Sequence, residues 1–248
     1  LAIEHLNFNV YPGEKIGICG RTGAGKSSIM TALYRIVELS GGSISIDGID
    51  ISDLGLFDLR SRLSIIPQDP VLFQGSIRKN LDPFGDFSDE LLWDTIRRSG
   101  LIEEKDFFAA KNMKLDMENS VTYESLHKFH LDQVVEDEGV NFSFGERQLI
   151  ALARSMVRKP KILILDEATS SVDYETDAKI QQTIANEFSQ CTILCIAHRL
   201  KTILHYDRIM VMENGRDVQR DSPKNLYHQP GIFRSMCEKA DINEQDFE

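Results

Sequence analysis

Residues 20–28 read Gly20-Arg21-Thr22-Gly23-Ala24-Gly25-Lys26-Ser27-Ser28, which satisfies the pattern G-x-x-x-x-G-K-[ST] at every position. The run follows a strand-like stretch over 15–19 and precedes a helix-like stretch over 28–34. Its glycines let successive backbone N–H groups point into one concavity, at which the positive end of the next helix also points. Lys26 adds a charge for the β- and γ-phosphates, and the Ser27 hydroxyl is a ligand for Mg²⁺. We therefore expect all nine residues to bind a nucleoside triphosphate; the complete match in this context argues against a chance glycine-rich turn.

Composition narrows the class of protein. The chain has 248 residues, of which 42% are hydrophobic, enough for one large domain or two closely packed lobes. A formal charge of −11 argues against a nucleic-acid-binding surface, which would be basic. No apolar run reaches the ~18 residues of a membrane helix. There is no signal peptide, and Leu1 falls within a strand pattern, so we expect a piece of a longer protein. The cysteines lack metal-site spacing and are interpreted as packing residues of a reducing compartment: Cys19, Cys191, Cys195 and Cys237.

Hydrophobic periodicity predicts an α/β protein with a parallel core and antiparallel elements at both ends. Strands are expected over 1–12, 43–47, 63–66, 161–165 and 192–196. Helices are expected over 88–99 with Ser88 as N-cap, from Phe144 onwards, and over 174–187, and a hairpin over 207–220 around Asn214-Gly215. The polar stretch 103–138 is interpreted as a mobile surface excursion, and the acidic tail from Ala240 as frayed.

Polar residues follow three of the predicted core strands. Asp166 and Glu167 end the run 162–165, where ligands bind in open α/β sheets, so Asp166 is expected to hold Mg²⁺ and Glu167 to orient or deprotonate a water. An Asp-Glu helix cap would be an equal alternative without the phosphate loop. His198 follows the strand over 192–196 and is placed to reach the γ-phosphate, although a lone histidine is more often structural. Gln68 ends another strand and can contact Mg²⁺ or the attacking water; alone it would be a solvated loop residue.

Together these residues resemble the nucleotide-binding domain of ATP-binding-cassette (ABC) proteins over nearly the whole chain. The motifs stand in the family's order: the phosphate loop, the Q-loop glutamine Gln68, the signature region 141–148, the Walker B pair Asp166-Glu167, the D-loop Ser170-Ser171-Val172-Asp173 and the switch histidine His198. The resemblance adds further residues to the nucleotide site: Ser143, Gly145 and Asp173. The stretches 13–17, 67–73 and 80–84 are similar to the second nucleotide-binding domain of the C subfamily, the multidrug-resistance-associated type.

The resemblance implies a P-loop NTPase fold: an ABC-type ATPase core with a mixed sheet, an antiparallel β subdomain and a helical subdomain. It implies a single nucleotide-binding domain over 1–248. The RecA-like core would cover about 1–75 and 158–238 and the helical subdomain about 76–157, with an acidic tail at 239–248. The helical subdomain would contain a polar insert at about 103–138, which is either a regulatory insert or an inert loop; we expect an inert loop, since Ser and Thr are common in any loop.

The signature region departs from the family's usual L-S-G-G-Q. Here it reads Phe142-Ser143-Phe144-Gly145-Glu146. Phe144 replaces a glycine where backbone approaches a phosphate, and Glu146 brings a carboxylate that repels a triphosphate unless it turns away. In the family, two domains pair head to tail and each signature completes the other domain's ATP site. We therefore expect a competent site at this chain's own loop and a poorly hydrolysing one at its partner's. The adenine-stacking aromatic of the family precedes the phosphate loop and is expected to lie outside this chain.

The resemblance implies ATP and Mg²⁺ as cofactors and the motor domain of a membrane exporter. Its partners would be the first nucleotide-binding domain and the membrane domains of the same parent protein, with no nucleic acid, at the cytoplasmic face of a plasma or vacuole-type membrane. The alternative is a gating or regulatory module of a C-subfamily channel or receptor, which differs in the membrane segments. The acidic charge and the subfamily-specific stretches argue against a soluble cassette ATPase acting on ribosomes or DNA.

Overall fold

The structure, a computed structural model, describes residues 2–113, 123–168 and 172–247. Its strands are β1 (Lys15–Gly20), β2 (Ser45–Ile46), β3 (Ile49–Asp50), β4 (Leu63–Ile66), β5 (Gly75–Ser76), β6 (Val134–Val135), β7 (Ile162–Asp166), β8 (Thr192–Ile196), β9 (Arg208–Glu213) and β10 (Arg216–Asp221). Its α-helices are α1 (Lys26–Leu33), α2 (Leu56–Arg62), α3 (Ile77–Leu81), α4 (Asp89–Arg98), α5 (Glu104–Asn112), α6 (Phe144–Arg158), α7 (Tyr174–Glu187), α8 (Pro223–His228) and α9 (Ile232–Lys239).

The chain divides into two compact units. The first comprises Leu1–Pro67, Pro160–Ser170 and Gln190–Glu248. The second comprises Gln68–Lys159 and Ser171–Ser189.

The first unit is built on a mixed sheet with the strand order β10-β9-β1-β8-β7-β4. Neighbouring strands are parallel from β9 to β4, and β10 runs antiparallel to β9. The predicted strands over 63–66, 161–165 and 192–196 are confirmed, because continuous apolar runs suit strands that are buried on both faces. The core of this unit joins α1, α2 and the sheet through buried aliphatic residues, among them Ile16, Ile29, Leu59, Ile164 and Met210.

The sheet register brings three strand ends to one edge. Ile18 of β1 pairs with Ile196 of β8, and Ile196 also lies opposite Asp166 of β7. Because these strands are parallel, the residues that follow them emerge together at the carboxyl edge, where ligands bind in open α/β sheets.

The hairpin over 207–220 is confirmed. Asn214 and Gly215 link β9 to β10 with φ of 49° and 78°, both in the left-handed region. A two-residue loop with both φ values positive is the type I′ turn, which asparagine-glycine favours.

The predicted strand over 1–12 is wrong for the described residues 2–12, which form no strand. The alternation is real, since Leu6, Phe8 and Val10 are half-buried against the core of the first unit. Two of its backbone oxygens, however, accept hydrogen bonds from side chains rather than from a neighbouring strand: Arg220 donates to the Asn7 carbonyl at 2.9 Å, and Arg208 to the Asn9 carbonyl at 2.6 Å. The strand expected over 43–47 is likewise reduced to β2, because Asp47 turns the chain with φ of 51°.

The second unit centres on α6, which packs against α3, α4 and α7. The helices expected over 88–99, from Phe144 and over 174–187 are confirmed as α4, α6 and α7. The Ser88 hydroxyl caps α4 by accepting the N–H of Leu91 at 3.4 Å, as predicted.

The interpretation of 103–138 as a surface excursion is wrong for its described residues; 114–122 lie outside them. Here α5 buries Phe107 against Trp93, with ring centroids 6.1 Å apart, and Leu131 and Val135 are fully buried. These apolar residues are too widely spaced along the chain to produce a period, so the sequence pattern conceals a packed segment.

The predicted fraying of the tail is wrong for 240–247. Ile242 is buried, and the short 3₁₀ turn Glu244–Phe247 places Phe247 against Tyr227, with ring centroids 4.9 Å apart. The cysteines are confirmed as buried and unbridged: Cys19, Cys191, Cys195 and Cys237. In the described part of the chain, no helix has the length and apolar character that crossing a bilayer requires.

Candidate nucleotide-binding site

The phosphate loop connects β1 to α1 at the carboxyl edge of the sheet. Gly20 has φ of 145°, and a Cβ on it would lie 2.1 Å from the Met212 carbonyl oxygen. Gly25 has φ of 96°, and its Cβ would lie 2.5 Å from the Ala2 carbonyl oxygen. Both positions therefore require glycine, because a side chain would strain the backbone and displace a neighbouring segment.

Backbone hydrogen bonds fix the shape of the loop. The Ala24 N–H donates to the Arg21 carbonyl at 3.1 Å, while the Ala24 carbonyl accepts the N–H of Gly215 at 3.1 Å. Ala24 is buried, whereas Arg21, Thr22 and Gly23 are exposed. The loop thus presents an accessible concavity that rests on the type I′ turn.

Lys26 is buried within this loop, with 7% of its surface exposed. Its ammonium donates to the Gly20 carbonyl at 3.0 Å and to the Arg21 carbonyl at 3.2 Å. The N-terminus of α1 has no side-chain cap, and the positive end of this helix and the Lys26 ammonium both lie at the phosphate loop. A helix N-terminus with a lysine beside it is suited to bind an anion such as a triphosphate.

Ser27 and Asp166 approach each other at the edge of this concavity. The Ser27 hydroxyl lies 3.4 Å from Oδ1 of Asp166 and donates a hydrogen bond to it. Burial, and then the neighbouring charge of Glu167, raise the pKa of Asp166, while the Ser27 hydrogen bond and Lys26 act in the opposite direction. A cation bound beside Asp166 would therefore offset the negative charges of Asp166 and Glu167.

The donor set fits Mg²⁺. A hydroxyl oxygen and a single carboxylate are ligands that Mg²⁺ takes while keeping water and phosphate oxygens in its other positions. Among the described residues there is no group of three or more His, Cys, Asp or Glu side chains that could hold a metal ion alone.

Glu167 and His198 lie at the same sheet edge. Glu167 has a left-handed φ of 48°, and its N–H donates to the Ile196 carbonyl at 2.9 Å. This bond ties the residue after β7 to the end of β8. The Ala197 N–H in turn donates to the Ile18 carbonyl at 2.9 Å, and the exposed His198 follows directly.

Gln68 belongs to the second unit, where it follows β4 across Pro67 and is exposed. Its carbonyl oxygen accepts a hydrogen bond from Nε2 of Gln148 on α6 at 3.0 Å. The Q-loop backbone is thereby attached to the helix that begins in the signature region. The contact of the Gln68 side chain with Mg²⁺ or water stays a prediction.

The signature region opens α6 with a capping box. The Ser143 hydroxyl accepts the N–H of Glu146 at 3.2 Å, and the Glu146 carboxylate accepts the N–H of Ser143 at 2.7 Å. Gly145 faces α7: a Cβ there would lie 2.9 Å from Cγ2 of Thr176. The Thr176 N–H donates to the Asp173 carboxylate at 2.9 Å, so Asp173 caps α7. The second unit thus gathers Ser143, Gly145 and Asp173, while Ser170 and Ser171 of the D-loop lie outside the described residues.

The two departures in the signature region differ in their surroundings. Phe144 is half-buried, with the Arg147 guanidinium 5.6 Å from its ring centroid. Glu146 has turned into the capping box, and Lys128 contacts both of its carboxylate oxygens at 2.8 Å. Lys128 is the residue that sequence reasoning missed, because it lies in the stretch interpreted as an excursion and no local pattern links it to Glu146.

Comparisons with known proteins agree with this geometry. The family described as ABC transporter matches residues 3–170. The chain is 62% identical to the "Oligomycin resistance ATP-dependent permease YOR1" of Saccharomyces cerevisiae, covering 100% of this chain and 17% of that protein. It is 47% identical to "ATP-binding cassette sub-family C member 2" of Homo sapiens, covering 98% of this chain and 14% of that protein.

Among solved structures, the chain is similar to a bacterial Atm1-family ABC exporter with ATP bound. The TM-score is 0.83 at 32% sequence identity, and the match covers 98% of this chain and 40% of the exporter chain. The chain thus spans less than a fifth of the length of the two transporters that it matches by sequence.

Proposed function

The chain belongs to the ABC transporter family, and on that premise we propose that it is the ATP-hydrolysing motor domain of a membrane exporter. One observation carries the proposal: a single compact unit brings Lys26, Ser27 and Asp166 together at one sheet edge. An ammonium, a helix N-terminus and a magnesium-binding pair are the parts that a nucleoside triphosphate requires. The names of the relatives, a permease and an exporter with ATP bound, support export.

In the proposed site, Lys26 leaves the loop carbonyls and binds the β- and γ-phosphates. Ser27 and Asp166 would hold Mg²⁺, which neutralises charge that develops on the phosphate oxygens. Glu167 orients or deprotonates the attacking water, and its left-handed backbone directs the residue away from the strand. We assign His198 to the γ-phosphate and Gln68 to Mg²⁺ or the water, as the family resemblance implies.

The partner domains belong to the proposal as well. We propose that the chain is a single nucleotide-binding domain, the second of a C-subfamily transporter, with the core, helical subdomain and tail assigned above. It would pair head to tail with the first nucleotide-binding domain at the cytoplasmic face of a membrane. Its Ser143 and Gly145 would then contact ATP held by the partner, and Asp173 would lie in the same interface. ATP binding closes the pair, and hydrolysis with phosphate release reopens it.

The test is a charge-neutral replacement of the proposed water-orienting residue in the purified transporter. Glu167→Gln should leave ATP binding within about twofold and lower turnover by roughly 100-fold or more, since a positioned general base contributes about that much. Glu175→Gln is the matched control: it removes the charge of an exposed carboxylate of α7 that pairs with Lys179. Parental turnover in the Glu167 variant would contradict the assignment.

A further inference from the structure

We infer that Lys128 is a positioning residue of the signature region: it neutralises the Glu146 carboxylate and so allows the first turn of α6 to face a triphosphate. The inference rests on the proposed function, in which this helix end completes the partner's ATP site. It concerns a residue outside the family's motifs, in a segment whose sequence pattern predicts only a loop.

The contact between Lys128 and Glu146 is two-sided. The ammonium lies 2.8 Å from Oε1 and 2.8 Å from Oε2, so both carboxylate oxygens have the same cationic partner. The ammonium also lies 5.6 Å from the ring centroid of Phe142, which is buried and stacked on Phe129. The ammonium therefore has a buried aromatic ring beside it as well as the carboxylate.

The charge balance at the helix end explains why such a partner matters. A helix N-terminus attracts anions through the equivalent of about half a positive charge. Glu146, in the first turn, would saturate that positive end with its own negative charge and repel a phosphate. Lys128 cancels the carboxylate, so the N–H groups of the first turn regain their attraction for a second anion.

Glu146 is ionised at neutral pH. Partial burial alone would raise its pKa, but hydrogen bonds from Lys128 and from the Ser143 N–H, with the lysine charge, hold the pKa below the usual range. The carboxylate that Lys128 contacts is therefore the ionised form.

If the Lys128–Glu146 ion pair only stabilised the fold, we would expect a different effect from its loss. Exposed pairs contribute at most about 1 kcal/mol to folding, and the capping box holds α6 without the lysine. Lys105 and Glu103 form such a pair in the same unit, 2.8 Å apart and about 70% exposed on both sides. It provides the matched control.

The experiment measures the KM and kcat of ATP turnover and the half-saturating concentration of a non-hydrolysable ATP analogue, all on the purified transporter. The variants are Lys128→Gln, Lys128→Arg, Glu146→Gln, the double variant Lys128→Gln/Glu146→Gln, and the control Lys105→Gln. We expect Lys128→Gln to raise the half-saturating concentration of the analogue about threefold, the size of an exposed charge interaction. KM should change less, because turnover reports mainly the competent site at this chain's own loop. Lys128→Arg should keep the parental half-saturating concentration, and the double variant should match Glu146→Gln.

Two results would overturn the inference: a silent Lys128→Gln, or an equal effect of that substitution with and without Glu146. The second result would assign Lys128 to packing on Phe142 alone. Lys26→Ala, assayed in parallel, separates the two proposals, because it tests this chain's own loop. If Lys26→Ala leaves binding unchanged, the proposed function fails; if only Lys128→Gln is silent, the inference alone fails.

Discussion

The hydroxyl of Ser27 lies 3.4 Å from Oδ1 of Asp166, which joins the first turn of α1 to the end of β7. Neither residue could make this contact from its own element alone. It depends on the parallel register that brings β1 and β7 to a common edge on either side of β8. The contact also has an energetic cost, because the Asp166 carboxylate is buried beside the carboxylate of Glu167.

Asp166→Asn should stabilise the nucleotide-free protein at neutral pH. Burial, and then Glu167, raise the pKa of Asp166 in the folded state, so ionisation at neutral pH opposes folding. Below the unfolded-state pKa, Asp166 is protonated in both states, and the wild type and the variant should be equally stable. As pH rises through the raised folded-state pKa, Asp166 ionises and the wild type loses stability relative to the variant. Between pH 4 and pH 8, the thermal midpoint of the variant should therefore rise above that of the wild type, to a difference of about 1–3 °C. Saturating Mg-ATP should reverse the order.

Asp173→Asn is the control for the direction of the stability change with pH. The Thr176 N–H lowers the pKa of Asp173, so its ionised form supports folding above the unfolded pKa and loses that support as pH falls through the lowered folded pKa. This variant should not be more stable than the wild type at pH 7. A midpoint difference between Asp166→Asn and the wild type that stays constant from pH 4 to 8 would contradict the argument.

Lys26→Ala should weaken Mg-ATP binding by roughly 10- to 100-fold, the value of charged hydrogen bonds. The ammonium now bonded to the Gly20 and Arg21 carbonyls is the charge that the phosphates would recruit. Isothermal titration of the purified protein measures the change. Lys201→Ala is the control, because Lys201 is an exposed lysine of the same unit that pairs with Asp246. Equal affinity of the two variants would reject the phosphate-loop assignment.

The cysteines should resist thiol reagents in the folded protein. Burial raises the pKa of Cys19 and Cys195 to about 12, and that of Cys191 and Cys237 to about 11. At pH 8 roughly one thiol in a thousand or fewer is then a thiolate, the reactive form. Ellman's reagent should react slowly at first and quickly after unfolding in guanidinium. A fast phase in the native protein would show that one of these thiols is accessible.

The fold of the first unit could be predicted from its motifs, because the chemistry of each motif depends on residues that are close in sequence. A phosphate loop, a strand that ends in two carboxylates and a strand followed by histidine each specify their own geometry, and parallel strands bring their ends together. The asparagine-glycine turn could be predicted for the same reason, since two positive φ values demand those residues.

The features that escaped prediction depend on distant partners. Residues 2–12 alternate like a strand, but arginine side chains donate to the carbonyl oxygens of Asn7 and Asn9, and no local pattern reveals this. Lys128 and Glu146 are separated by seventeen intervening residues, and they meet where Phe129 stacks on Phe142. The charge of Glu146 could be read from the sequence, whereas its neutralisation could not.

Because Lys128 neutralises Glu146, the two departures in the signature region, Phe144 and Glu146, should differ in their effect on turnover. Phe144→Gly with Glu146→Gln should raise ATP turnover of the self-paired chain, whose only signature is its own. Phe144 should contribute most of the gain, since a bulky ring stands where backbone must approach phosphate, while Lys128 already cancels Glu146. Glu146→Gln alone should change turnover less than about fivefold, since an exposed pair contributes at most about 1 kcal/mol. Turnover measured against protein concentration, with dimer formation followed by light scattering, tests the claim. A double variant that dimerises but turns over no faster would show that neither residue weakens the signature.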